Sequence, residues 1–269
     1  GALRWYYQTI HHDLWDWDNI TGPVLFDVTR NGETIKGVGA AGKNCLLYLW
    51  HRETGEPINP MVETLVPTET NVPGEVVYPT QPIPHNARGV PLMPFCATYL
   101  DLDDSELQAQ ARQMYTPYST DEHYIVAHGG SSFGSPSFSP RTGLLYVTAI
   151  DRPHNSGRGP RGYFSAYDPT TGELVWRQIF EGYGQSGPVV TAGGVVFVGA
   201  GSNIAGYFYA YDAATGEELW RFNTGAGVFA APSVYMVNGE QFVTVASGGG
   251  SRGRRGGDLI LSFALPPRP

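Results

Sequence analysis

Apolar and polar positions along this chain alternate in short runs, and the runs are cut by glycine-bearing turns. Residues 167–176 read Tyr-Asp-Pro-Thr-Thr-Gly-Glu-Leu-Val-Trp and residues 211–220 read Tyr-Asp-Ala-Ala-Thr-Gly-Glu-Glu-Leu-Trp, with the two tryptophans 44 residues apart. That interval is the length of one four-stranded propeller blade. Asp and Thr-Gly supply a tight turn, and the Trp four residues after Gly opens the next strand, where its ring can pack between neighbouring blades. Strands are expected over 162–167 and 207–211 before the tryptophans. Apolar runs over 187–198, 228–237 and 241–246 follow, with a closing strand over 259–265. A degraded copy, Arg52-Glu53-Thr54-Gly55-Glu56, keeps the turn but has Asn59 where Trp would fall.

Gly1-Ala2-Leu3-Arg4-Trp5 fits the same motif from its Gly to its Trp, so the chain is expected to begin inside a hairpin turn. A strand left there without its partner would expose ladder groups that propellers pair. The pattern predicts an all-β chain of about four blades, one partial β-propeller domain over 1–269 that lacks an N-terminal half. Between 61 and 125 the rhythm breaks into a mostly irregular, Pro-rich insertion. One short helix is predicted there over 103–114, capped by Asp103 or Asp104 and carrying Leu107, Ala111 and Met114 on one face. Such an insertion either lines a binding site or is a surface excursion.

Composition sharpens this picture at a few points. The 35 glycines, 21 prolines and 13% aromatic residues suit many short strands with large rings between sheets. A net charge of −8 argues against a nucleic-acid partner, which needs clustered Lys and Arg. Arg252, Arg254 and Arg255 are a local exception, read as a solvated loop or a docking patch for an acidic partner. Two cysteines, Cys45 and Cys96, are too few for a disulfide framework and leave one bridge or two buried thiols open.

Candidate chemistry concentrates in His11-His12-Asp13-Leu14-Trp15-Asp16-Trp17-Asp18. In an extended segment, Asp16 and Asp18 share one face, with Trp15 and Trp17 opposite. Two carboxylates on one face can share a divalent cation, or one can act as a base whose pKa the other raises; Asp and His near a strand end also commonly cap turns. Adjacent His11 and His12 point to opposite faces, and no third ligand completes a zinc set. Lys43, 27 residues after Asp16, precedes an apolar strand over 45–50 and taken alone reads as a snorkelling surface lysine. No Gly-x-Ser-x-Gly elbow supports a serine hydrolase, and the Gly-rich stretches 199–201 and 248–250 open no helix that would make them nucleotide loops.

Several motifs in order resemble the pyrroloquinoline-quinone (PQQ) dehydrogenases, glucose dehydrogenase branch. They are the segment from Tyr7-Gln8-Thr9 to Trp15-Asp16-Trp17-Asp18, Pro79-Thr80-Gln81-Pro82, Tyr115-Thr116-Pro117, Ser139-Pro140-Arg141-Thr142-Gly143-Leu144-Leu145-Tyr146-Val147, and Gly257-Asp258 to Ala264-Leu265-Pro266. The resemblance implies the C-terminal half of an eight-bladed propeller that holds PQQ near its axis beside a divalent ion, usually Ca2+. It implies Asp16 as the base that takes the substrate hydroxyl proton and as a metal ligand. Lys43 becomes the cation that hydrogen-bonds the quinone oxygens, and Asp18 a further metal ligand of the kind that lanthanide enzymes use. Ser132 and Gln185 fall where relatives place an Asn and a Trp near the cofactor. The remaining metal ligands, and most contacts to the cofactor's carboxylates, are implied upstream of this chain.

The implied activity is periplasmic oxidation of an alcohol or sugar, with electrons passing to ubiquinone or cytochrome c, and the fragment alone is expected to be inactive. A non-enzymatic propeller scaffold is the alternative. Asp16 and Lys43 at family spacing weigh against it.

Overall fold

The computed structural model describes residues 1–86, 88–89, 92, 114–117, 129–151, 160–201, 205–249 and 256–265. All regular structure among these is β. The first sheet runs β1 (Val24–Arg30), β2 (Glu33–Ala41), β3 (Leu47–His51), and a separate pair joins β4 (Met61–Leu65) to β5 (Thr80–Pro84). The second sheet combines β6 (Gly129–Gly130), β7 (Ser137–Ser139), β8 (Leu144–Asp151), β9 (Arg161–Asp168) and β10 (Glu173–Glu181). A third follows as β11 (Val189–Val190), β12 (Val195–Gly201), β13 (Gly206–Asp212) and β14 (Glu218–Asn223). The fourth is β15 (Ser233–Val237), β16 (Glu240–Ser247) and β17 (Leu259–Ala264).

Every named strand pair is antiparallel, and within the sheets chain neighbours are mostly sheet neighbours. The turn chemistry explains much of this. Asn31-Gly32 and Asn238-Gly239 both take positive φ at the tips of hairpins, the pairing that two-residue primed turns require.

The repeated motif acts as a dock between sheets. Trp176 enters β10 through a register shift between Leu174 and Trp176, and β14 shifts at the matching place, opposite Ala210/Tyr211. The Trp176 ring lies on Gly216 of the next motif, where an added Cβ would stand 2.6 Å from the ring, and its Nε1 donates to the Ala213 carbonyl at 3.2 Å. Trp5 repeats the arrangement on the degraded copy, with its ring on Gly55 and its Nε1 donating to the Arg52 carbonyl at 2.9 Å. Where that copy lacks its own Trp, Asn59 and Leu92 together cover Gly172 of the following motif. Trp220 is 37% exposed and meets Phe263 edge-on at 5.0 Å.

Apolar clusters fill the spaces between successive sheets. Phe26, Leu47 and Leu49 meet Leu145, Val147 and Tyr163 between the first two, and Tyr146, Phe164 and Trp176 meet Val196, Val198 and Tyr211 between the next two. Each large side chain so buried contributes roughly 1.5–3 kcal/mol.

The insertion is more ordered at its start than its prolines predict, since β4 and β5 pair from Met61↔Pro84 to Leu65↔Thr80. The helix expected over 103–114, Cys96 and the arginines at 252, 254 and 255 lie outside the described residues, except that Met114 lies in a turn. Of the two states left open for the cysteines, Cys45 is disulfide-bonded.

Candidate functional site

The 11–18 segment is not a strand. Asp16 has φ +59 and His12 φ +44, so the chain coils through this stretch. The condition of an extended segment is not met, yet the division of faces survives by another route. Trp15 and Trp17, both 1% exposed, stack at 5.0 Å and 21°. Both rings also meet Tyr115 edge-on at 5.4 Å. With the indoles at alternate positions pulled inward, the intervening Asp16 and the following Asp18 turn outward.

The outward carboxylates meet one cation. Lys43 Nζ donates to Asp18 Oδ1 at 2.6 Å and to Asp16 Oδ2 at 3.0 Å. The Lys43 side chain is 18% exposed, against 84% for Asp16 and 47% for Asp18. Burial alone would lower the Lys43 pKa, but the hydrogen bonds and charges of Asp18 and Asp16 outweigh it and hold the ammonium above its ordinary value. Lys43 therefore keeps its stem covered and its ammonium held by two outward carboxylates, a pairing that the lysine taken alone does not reveal.

The turn 42–46 that carries Lys43 is built for this. Cys45 takes φ +68 and its N–H donates to the Gly42 carbonyl at 3.1 Å. Asn44, fully buried, donates from Nδ2 to Tyr48 Oη at 2.6 Å and to Tyr115 Oη at 3.0 Å, while its Oδ1 accepts the Leu46 N–H. Burial raises both phenols: Tyr115 is pushed up to about 12 and Tyr48 well above its usual value, so both stay protonated partners.

The insertion holds the carboxylate loop at two points. Gln81 of β5, fully buried, clamps His11 reciprocally: its Oε1 accepts the His11 N–H and its Nε2 donates to the His11 carbonyl, both at 2.8 Å. Trp15 Nε1 donates to the Thr116 carbonyl at 2.8 Å. His11 turns its Nε2 to Glu63 Oε1 at 3.0 Å. Among the described residues no three His, Cys, Asp or Glu side chains gather to hold a metal.

The other two expected residues lie on neighbouring strips. Gly130, at φ +62, lies against the backbone of Lys43, and the Ser131 N–H donates to the Gly42 carbonyl at 3.1 Å, which places half-buried Ser132 one residue beyond. Gly134 then meets the backbone of Ser186 and Gly187, next to Gln185, which is 7% exposed. Direct contact thus joins Asp16, Asp18 and Lys43, and glycine-tight strips carry Ser132 and Gln185 alongside. Asp13, Asn44, Gln81 and Tyr115 were not singled out as site residues. Their roles rest on pairings across the fold or on loop geometry, and the one available signal was that Asp13, Gln81 and Tyr115 fall inside three of the resembling motifs.

Comparison with known proteins bears out the family resemblance. The family model for the PQQ "Glucose/ethanol/alcohol dehydrogenase, beta-propeller domain" matches residues 1–157 and 178–243. The chain is 28% identical to the quinoprotein glucose dehydrogenase of Escherichia coli, over 99% of this chain and 43% of that protein. It is 30% identical to a quinoprotein ethanol dehydrogenase of Pseudomonas putida, over 96% of this chain and 42% of that one. The quinohemoprotein alcohol dehydrogenase of Comamonas testosteroni superposes with a TM-score of 0.65 at 25% identity, covering 97% of this chain and 40% of that structure. The chain spans less than half the length of the curated relatives it matches.

Proposed function

The chain belongs to the PQQ glucose/ethanol/alcohol dehydrogenase β-propeller family, and from that premise we propose that it carries the proton-abstracting half of a quinoprotein active site. In this reading the four sheets are four blades of an eight-bladed ring, and the whole protein oxidises an alcohol or sugar hydroxyl to a carbonyl. The observation that carries the reading is the Lys43 ammonium held between Asp16 and Asp18. The 27-residue spacing from Asp16 to Lys43 supports this reading over that of a non-enzymatic scaffold.

The residues fit the groups the family uses. Asp16 and Asp18 are hard oxygen donors on one side of a loop, suited to Ca2+ or a lanthanide, and two are too few to hold it alone. Further ligands would come from outside this chain. Lys43 would face the cofactor's oxygens, with Ser132 and Gln185 on the strips alongside. When bound, PQQ supplies the hydride acceptor and the ion supplies Lewis-acid polarisation of the substrate oxygen.

This chain's own residues supply the rest. Asp16, the most exposed of the three side chains, can reach a substrate hydroxyl and take its proton at a carboxylate oxygen. Lys43 stays protonated and offers positive charge where negative charge develops on oxygen. The Trp15–Trp17 stack keeps water from the inner side of the loop. Electrons would pass on to ubiquinone or cytochrome c at the periplasmic face of the membrane, and this chain alone would not turn over.

The test is dye-coupled oxidation by the full-length protein reconstituted with PQQ and Ca2+, using glucose and ethanol. Activity that requires both PQQ and the ion supports the reading. Failure to bind PQQ, or activity indifferent to its removal, contradicts it.

A further inference from the structure

Asp16 carries a left-handed backbone, a conformation uncommon for residues with a Cβ and more accessible to Asp than to most of them. Two hydrogen bonds to the residue three positions upstream bracket it. Asp13 Oδ1 accepts the Trp15 N–H at 2.9 Å and Asp13 Oδ2 accepts the Trp17 N–H at 2.8 Å. One carboxylate therefore grips the amides on both sides of Asp16. The first bond is an Asx turn, and the second extends the same grip across the next two residues. The charge on the carboxylate strengthens both bonds.

We infer that Asp13 is the positioning residue for Asp16: its carboxylate bridges the Trp15 and Trp17 amides, and so fixes the turn that sends the Asp16 side chain to Lys43. This rests on the reading of Asp16 as the base, and adds the group that aims it. The indoles anchor Trp15 and Trp17 from the inside, the Lys43 N–H donates to the Asp18 carbonyl at 3.5 Å, and the Gln81 clamp acts at His11, five residues away; of these contacts, the two Asp13 bonds are the ones that bracket Asp16. Asp13 is exposed, and its hydrogen bonds among the described contacts go to backbone amides rather than to Lys43.

Two readouts test this, one of them independent of catalysis. The chain has two lysines, Lys36 and Lys43, so amine acetylation followed by mass spectrometry reports on Lys43 with Lys36 as an internal control. In an Asp18→Asn background, Asp16 is the carboxylate left on Lys43. Adding Asp13→Ala there should raise the Lys43 labelling rate severalfold, to the level that Asp16→Asn gives, with Lys36 unchanged. Asp13→Asn, which keeps one acceptor oxygen, should fall between. Unchanged Lys43 labelling in Asp13→Ala/Asp18→Asn, while Asp16→Asn/Asp18→Asn raises it, overturns the inference whether or not the protein turns over.

In the reconstituted full-length protein, Asp13→Ala should lower kcat about 100-fold, the scale of a misplacement near 1 Å, with PQQ affinity within about threefold of wild type. A kcat within threefold of wild type also overturns it. Loss of Lys43 protection in a protein that shows no PQQ-dependent activity would leave Asp13 as the holder of the loop and remove the functional reading instead.

Discussion

Replacing Gly216 by Ala probes the dock between repeats. Gly216 has φ +74, and its absent Cβ would stand 2.6 Å from Cδ2 and 2.8 Å from Cε3 of Trp176. Ordinary carbon contacts lie near 3.5–4.0 Å, so ring or turn must give by about 1 Å. The ring has little freedom to do so, because Phe164 meets it edge-on at 5.1 Å, Tyr146 lies at 5.8 Å, and its Nε1 is committed to Ala213. Overpacking of this kind costs about 1–3 kcal/mol. The left-handed backbone adds about 1–2 kcal/mol for a residue with a Cβ. Reduced freedom of the unfolded chain returns about 0.4–1 kcal/mol.

The expected loss is therefore about 1–4.5 kcal/mol. Gly32→Ala isolates the backbone part, since Gly32 has φ +83 with nothing within 4 Å of its Cβ position. Equilibrium urea unfolding of both variants should place Gly216→Ala about 1–3 kcal/mol below Gly32→Ala, at similar m. Equal losses would show that the Trp–Gly contact carries no strain, and would refute the docking account.

Other expectations follow from the same geometry. Leu92→Ala should cost about 2–4 kcal/mol by emptying the space over Gly172, read from the urea midpoint. Asn59→Leu should instead stabilise by about 1–2 kcal/mol, because the buried Asn59 amide has no hydrogen-bond partner among the described residues; a loss on unfolding would argue against this. Gln81→Ala should cost about 1–3 kcal/mol by freeing both backbone groups of His11, and it should loosen Lys43 less than Asp13→Ala does, as scored by amine labelling. In alkali, the raised pKa values of Tyr48 and Tyr115 give stability that is complete below about pH 10 and lost as pH rises through the folded values, about 12 for Tyr115. Unfolding free energy measured from pH 8 to 12 should decline from about pH 10 upward, and a flat profile would contradict their burial.

The turns and most strands were legible because their signals are local. Thr-Gly before Trp, period-2 alternation and the length of the repeat locate β9, β10, β13 and β14 without knowledge of any distant contact. The 187–198 run was harder to read: Gly193-Gly194 splits it into β11 and β12, a turn that its apolar content conceals. The acid loop shows why local reading has limits. Alternation correctly separated Asp16 and Asp18 from Trp15 and Trp17, but the cause is a left-handed turn gripped by Asp13, not an extended strand. The partners that fix it, Gln81 for His11 and Thr116 for Trp15, lie 70 and 101 residues away and leave no trace in spacing. Lys43 taken alone read as a surface lysine for the same reason, since the two carboxylates that hold it are 27 and 25 residues upstream.

The most direct test of the central claim is Asp16→Asn in the full-length protein reconstituted with PQQ and Ca2+. The variant keeps the size and shape of the side chain and removes the proton-accepting oxygen. PQQ should remain bound, as judged by its absorbance after gel filtration, while dye-coupled turnover falls by 100-fold or more, the scale of a lost general base. Turnover near that of the parent, with cofactor bound, would contradict the assignment of Asp16 as the base.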